Sequence, residues 1–235
     1  MTCVYHSRTG DRFFSQHKYR EPNRLIPGMG FFSLLPESYY STLLPAQHEQ
    51  TKRVLRDVFP DPFNAITIVD ATAHIGGDTI HFATMFPRSK IIAVDVSQDA
   101  IACLKENVRK FIFKEGQVEV IKADTVKWIN SNGQKADLYY FDPPWGGPNY
   151  TLKKKMNLML GGRQIEEIIL SVFEKGLTTT VMLKAPKNFS LEEFVIFLKG
   201  YRIKKYDIMK KNGIKVSHSL LVITKIFTYF EQAIE

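Results

Sequence analysis

The chain has 235 residues, 44% hydrophobic and 24% charged, with a formal net charge of +8 and a pI of about 9.3. That length supports one substantial hydrophobic core and not two, and the cationic excess favours an anionic partner, RNA or DNA first, over a basic surface with no such partner. Two distant cysteines, Cys3 and Cys103, show no metal spacing, the N-terminus has no apolar signal-like run, and no segment approaches the ~18 apolar residues of a membrane span. These features predict an intracellular protein, nuclear or cytoplasmic and not secreted, with no metal and no membrane contact.

Residues 1–37 are rich in Arg, Pro, Gly and aromatics, lack periodicity, and read as an N-terminal arm packed on a main domain of residues 38–235. Glu37–Val58 reads as a helix interrupted by Pro45. Ala65–Asp70 is short, apolar and β-branched, a buried strand ending in an acid. A helix over Ile75–Phe86 leads to a second such strand, Lys90–Asp95, and Ser97 caps the helix that runs to about Phe113. Val118–Ile121 is a third strand, followed by a short helix over Asp124–Asn130 that Asn132-Gly133 ends. Lys135–Phe141 is the fourth strand, Gly161–Lys175 a helix and Thr178–Leu183 the fifth strand. Ser190–Leu198 is a helix with Ser190 as cap and Glu193 at the capping-box position, and Tyr201–Met209 and Lys215–Lys225 form a hairpin around Lys210–Gly213. The alternation predicts an α/β fold, a doubly wound, mostly parallel, Rossmann-like seven-stranded sheet closed by antiparallel pairing.

The run Phe141-Asp142-Pro143-Pro144-Trp145-Gly146-Gly147 carries most of the chemistry. Two successive prolines stop the strand, because neither donates to a ladder and each locks φ near −65°. The stiff backbone then offers a carbonyl beside the Asp142 carboxylate and the Trp145 plate. Two acceptors and an aromatic ring suit an exocyclic amine on a flat base. An aryl amine is a poor nucleophile until its hydrogens are held and its lone pair is turned toward a methyl donor, so alignment is the main catalytic task, worth up to ~7–11 kcal/mol.

Asp70, Asp95, Asp124 and Asp142 fall near four successive strand ends, where doubly wound sheets bind ligands. Asp95 is placed to accept both ribose hydroxyls of a nucleoside and Asp124 to accept an adenine amine, while Gly76 and Gly77 permit close backbone approach. The loop is not G-x-G-x-x-G, and Asp78 near the next helix start would repel a phosphate. Negative charge there suits the cationic cofactor S-adenosylmethionine. Each acid taken alone could equally be a helix cap or a solvated charge.

These residues together resemble the trimethylguanosine synthase family. Lys18-Tyr19 resembles the family's Lys-Tyr-Trp, and Gly30-Phe-Phe-Ser-Leu-Leu-Pro-Glu37 its Gly-Trp-Phe-Ser-Val-Thr-Pro-Glu. Val69–Ala83 is similar to Val-Asp-Ala-Phe-Cys-Gly-Val-Gly-Gly-Asn-Thr-Ile-Gln-Phe-Ala, and Pro143–Tyr150 to Pro-Pro-Trp-Gly-Gly-Pro-Asp-Tyr. Pro186-Lys187-Asn188 parallels Pro-Arg-Asn. The resemblance implies a class I methyltransferase that moves a methyl from S-adenosylmethionine to the N2 amine of the 7-methylguanosine RNA cap, acting on capped RNA as a monomer. It implies Asp142, Pro143 and Trp145 as catalytic residues and Asp70, Ala71, Gly76, Gly77, Asp95, Asp124 and Asp142 as cofactor contacts. Trp145, Tyr150, Lys18, Lys187 and Asn188 would hold the capped guanine and its phosphates. The chain departs from the family at Asp142, where Ser is usual, at His74 in place of a glycine, and at Leu35 in place of Thr. An adenine-N6 nucleic-acid methyltransferase, favoured by Asp142, and a catalytically inactive cap- or RNA-binding subunit stay open as alternatives. A nicotinamide dehydrogenase is disfavoured by the missing glycine fingerprint. Among the basic clusters, Lys153–Lys155 follows the Trp145 loop directly and is expected to contact phosphate; Lys204-Lys205 and Lys210-Lys211 could equally contact phosphate or be solvated loop charges.

Overall fold

The structure, a computed structural model, describes residues 33, 35, 38, 45–112, 114–210 and 213–226. Most of the expected arm, including Lys18, lies outside these residues, as does Lys211. The described chain begins with helix α1 (Pro45–Val58) and then alternates: β1 (Thr67–Asp70), α2 (Gly77–Met85), β2 (Lys90–Asp95), α3 (Gln98–Phe111), β3 (Val118–Lys122), α4 (Thr125–Asn132) and β4 (Leu138–Phe141). A 3₁₀ turn (Pro148–Leu152) and a small hairpin, β5 (Met159–Leu160) and β6 (Arg163–Gln164), precede α5 (Ile165–Glu174), β7 (Thr180–Pro186), α6 (Leu191–Phe197), β8 (Tyr201–Met209) and β9 (Val216–Lys225).

Seven strands form one sheet in the order β3-β2-β1-β4-β7-β9-β8, parallel except where β9 pairs with β7 and β8. The expected doubly wound sheet and closing hairpin are therefore present. Period-two alternation sorts the strand residues between two cores. Val69, Tyr139, Phe141, Val181 and Leu183 pack against α4, α5 and α6, whereas Ile68, Leu138, Tyr140 and Met182 pack against α1 and α2. Fully buried side chains such as Phe141 and Leu183 each contribute ~1.5–3 kcal/mol from burial. Chain order reverses between β1 and β4, which pair directly, so the open ends of those two strands form the switch point of the sheet.

Several local readings are corrected. Pro45 opens α1, where a missing N–H costs nothing, and residues 39–44 of the expected helix lie outside the described residues. Strand β7 runs on to Pro186, three residues past the expected end. The start of the expected helix at Gly161 is instead the β5–β6 hairpin, whose turn glycines, Gly161 and Gly162, have φ of +57° and +78°. Ser97 does cap α3, accepting from the Ala100 N–H at 3.2 Å, but Ser190 makes no side-chain cap bond, so no capping box forms at α6. Gly133 has φ −54° and is not a left-handed cap. It is small because a Cβ there would stand 2.7 Å from Leu177 Cδ1 and 2.9 Å from the Ile129 carbonyl oxygen. Gly133→Ala is therefore expected to destabilise the fold by ~1–3 kcal/mol through overpacking, read as a lowered urea midpoint with an unchanged slope.

Candidate active site

The chain leaving β1 stays fastened to both neighbouring strands. The Ala71 N–H donates to the Tyr140 carbonyl at 2.9 Å and the Ala73 N–H to the Val94 carbonyl at 3.0 Å. The Thr125 hydroxyl donates to the Ala71 carbonyl at 2.6 Å. Asp70 is buried and accepts from the Thr79 hydroxyl at 2.5 Å; burial pushes its carboxyl up to about 8. Asp70 and Ala71, expected among the cofactor contacts, thus have their side chains closed off and act here to hold the loop. His74 adopts φ +47°, a left-handed conformation that costs a non-glycine residue ~1–2 kcal/mol. Gly76, at φ +93°, could not carry a side chain, since a Cβ would lie 2.4 Å from Leu104 Cδ1. Its smallness serves α3 as much as any ligand, and Gly77 then starts α2.

The strain at His74 positions its N–H, which donates to Asp95 Oδ2 at 2.8 Å, while the Ser97 N–H donates to Oδ1 at 2.8 Å. Both carboxylate oxygens are oriented by backbone, and each keeps accepting capacity for a ligand hydroxyl. Val96 stands next to them 64% exposed, an apolar surface that suits the face of a purine ring. The sequence reading passed over Val96, whose signal is an apolar residue wedged between a strand-end acid and a helix cap. Asp124 is a helix cap, accepting from the Lys127 N–H at 3.0 Å through Oδ1, which leaves one oxygen for a ligand. Asn107 on α3 was also missed. It is fully buried, accepts from the Ser33 N–H at 2.7 Å and donates to the carbonyls of Ser33 at 3.0 Å and Ile75 at 2.9 Å. One side chain therefore couples Ser33 to the cofactor loop.

On the β4 side, the Asp142 N–H donates to Thr72 Oγ1 at 2.6 Å, tying the Pro-Pro loop to the cofactor loop. Lys184 of β7, 2% exposed, places Nζ 2.6 Å from Asp142 Oδ2 and 3.5 Å from Asp78 Oδ2. The Tyr140 hydroxyl donates to the same Asp78 oxygen at 2.9 Å. Burial pushes the Asp142 carboxyl up to about 6 against the pull of Lys184. Burial also drives Asp78 up, but Lys184, His48, the Tyr140 hydroxyl and His81 together outweigh it and hold the carboxyl below the usual range. Burial alone would lower the Lys184 ammonium; the two carboxylates hold it above its ordinary value. Asp78 is consequently not the unopposed negative charge that the sequence suggested.

Trp145 is half-buried, edge-on to Tyr150 with centroids 5.2 Å apart, and 6.3 Å from the His218 ring. Its buried Nε1 has no partner among the described residues. Gly146 and Gly147, at φ +83° and +77°, carry the loop onward with open space where a Cβ would stand. Asn188 uses its amide nitrogen to hold the carbonyls of Tyr150 at 2.9 Å and Lys153 at 2.8 Å, so it anchors the acceptor loop. Lys187 and Lys153–Lys155 are exposed, and Lys155 pairs at 3.2 Å with the exposed Glu192. Pro143 is buried at the root of the loop.

An oriented ribose acceptor, an apolar plate and a strand-end amine acceptor at one switch point fit a nucleoside cofactor beside a second planar substrate. This fold and site define a Rossmann-like methyltransferase, and S-adenosylmethionine is its methyl donor. The chain belongs to the RNA cap guanine-N2 methyltransferase family, whose model matches residues 65–226. It is 28% identical over 152 residues to an uncharacterized protein of Acanthamoeba polyphaga mimivirus, covering 64% of this chain and 58% of that one. It is 32% identical over 94 residues to the trimethylguanosine synthase of Schizosaccharomyces pombe, covering 39% of this chain and 38% of that one. The chain thus spans well under two thirds of these relatives. Among solved structures it resembles the human methyltransferase 10 domain containing protein, with a TM-score of 0.61 and 10% identity over 93% of this chain and 98% of that chain, a likeness of fold. S-adenosylmethionine should raise the melting temperature of the wild type by mass action. Asp95→Ala should abolish most of that shift while leaving the ligand-free melting temperature within a few degrees.

Proposed function

We propose that the protein transfers a methyl group from S-adenosylmethionine to the exocyclic N2 amine of a 7-methylguanosine RNA cap. Family membership supports the reaction class, and the Asp142-Pro143-Pro144-Trp145 loop carries the reading of the acceptor. Asp142 Oδ1 has no protein partner among the described residues, and 17% of the side chain stays open. Oδ1 and the Pro143 carbonyl take the two amine hydrogens, turning the nitrogen lone pair toward the neighbouring cofactor loop. Bound S-adenosylmethionine supplies an activated methyl on a sulfonium. The held amine nitrogen would be aligned to bond to that carbon, the sulfur–carbon electron pair leaving to sulfur. Asp142 Oδ1 accepts the released amine proton and passes it to water.

Trp145 stacks on the 7-methylguanine, whose positive charge adds a cation–π contribution of ~1–2 kcal/mol when desolvated. Tyr150 braces the indole from its edge. Lys187 and Lys153–Lys155 follow the RNA phosphates, with Lys18 joining them from the arm. The hold of Asn107 on both Ser33 and Ile75 sets Ser33 beside the cofactor loop.

Trp145→Ala should lower stability by ~1–2 kcal/mol, below the ~3–5 kcal/mol of a fully buried aromatic, because the ring is only half-buried. It should reduce affinity for the 7-methylguanosine cap at least tenfold and leave cofactor affinity intact, whereas Trp145→Phe should recover part of the loss. Calorimetric titration with methylated and unmethylated cap analogues reads both effects. Equal wild-type affinity for the two analogues would overturn the stacking argument and move an adenine acceptor ahead.

A further inference from the structure

Lys184 is absent from every motif that pointed to the site, yet it lies at the centre of the charges beneath the acceptor loop. It continues the parallel register in which Phe141 of β4 pairs with Leu183 of β7, and so it falls beside Asp142. Its neighbours in the strand, Leu183 and Ala185, face the other core. Lys184 and Asp142 thus share the sheet face of Tyr140 and α2. A buried lysine among apolar strand residues carries a large desolvation cost unless its partners are placed to meet it. Here they are, with Asp142 Oδ2 at 2.6 Å and Asp78 Oδ2 at 3.5 Å.

We propose that Lys184 is a positioning residue of the acceptor site: it occupies one oxygen of Asp142, aims the other at the exocyclic amine, and is itself held by Asp78. The idea rests on the methyl-transfer reading above and adds to it how a carboxylate does the work of an amine acceptor. A carboxylate without such a partner could rotate and offer either oxygen to the amine. With Oδ2 taken, Asp142 presents a single acceptor, as a hydroxyl or an amide oxygen would. Loss of Lys184 should leave two carboxylates facing each other with no cation between them.

The groups around Asp142 are Lys184 from β7, Asp78 from α2, Asp70 from β1 and Tyr140 from β4. Beyond Lys184 and Asp78 stand His48 of α1 and His218 of β9, both pushed down to about 3 by burial, and His81 of α2, also lowered. His48 and His218 are neutral at working pH, and Asp70 is protonated below about 8, so among the described residues Lys184 is the cation that sets the state of Asp142.

The test uses the full chain and two readouts. Wild-type methyl transfer should fall as pH drops through about 6, as Asp142 protonates. Lys184→Met removes the favourable charge, so this acid limb should move up by about 1–3 pH units. Transfer at pH 7 should fall by about twofold for a one-unit move and about tenfold for a two-unit move, and recover at higher pH, with cofactor affinity unchanged. Thermal melting gives a readout independent of any acceptor. An unpaired Asp142 has its folded pKa raised further above the unfolded value, so the stability deficit of Lys184→Met should grow from pH 5 to pH 8. Asp142→Ser in the same chain should remove most of that pH-dependent deficit, and the double variant should fold even if Lys184→Met does not. An unmoved acid limb, or a double variant no more stable at pH 8 than Lys184→Met, would overturn the proposal. If wild type transfers no methyl to any capped RNA while the melting pattern holds, the functional reading fails and the ion-pair assignment stands.

Discussion

The pairing of β1 with β4 is the constraint on which the site depends. These strands diverge in connectivity but stay in register from Ile68–Leu138 to Asp70–Tyr140. Beyond the last pair the contact continues as two further hydrogen bonds, Ala71 N–H to the Tyr140 carbonyl and Asp142 N–H to Thr72 Oγ1. The loop after β1 and the Pro-Pro loop after β4 are therefore one hydrogen-bonded unit. Displacement of either by an ångström would misalign an in-line transfer, the kind of error that costs catalysis most. The strain accepted at His74 serves the same unit, because its N–H aims Asp95.

Beneath this junction the sheet holds an unusual concentration of charge. Asp78, Asp142 and Lys184 are all largely buried and meet through one ammonium group. Such clusters add little stability relative to apolar packing, and removal of one member leaves an uncompensated charge. Their persistence in a core is better understood through geometry: the ammonium fixes which carboxylate oxygen is turned inward and which is left to the pocket. The surrounding histidines, neutral because burial disfavours their charged form, supply a polar lining without changing the charge balance.

The features legible in the sequence were those set by local pattern. Short β-branched runs ending in Asp70 and Asp95 marked β1 and β2, and the double proline marked the acceptor loop. What the sequence hid was tertiary. Lys184 lies just past the expected end of the strand Thr178–Leu183, at its first charged residue, and it is pairing with β9 that carries the strand on to Pro186. Asn107 looks like any polar residue of an amphipathic helix until the segment at Ser33 and the carbonyl of Ile75 converge on it. Gly133 does end α4, but its smallness also answers to Leu177 across the core. Ser190 and Glu193 matched a capping box that the fold does not use.

The central claim is the identity of the accepting atom. The most direct measurement is methyl transfer from labelled S-adenosylmethionine to RNAs carrying a 7-methylguanosine cap, an unmethylated guanosine cap or a 5′ adenosine. Digestion to nucleosides and mass spectrometry would then locate the label. The account predicts label on N2 of 7-methylguanosine, at least tenfold above the unmethylated cap, and none on adenine. Label on adenine N6, or equal transfer to both guanosine caps, would contradict it.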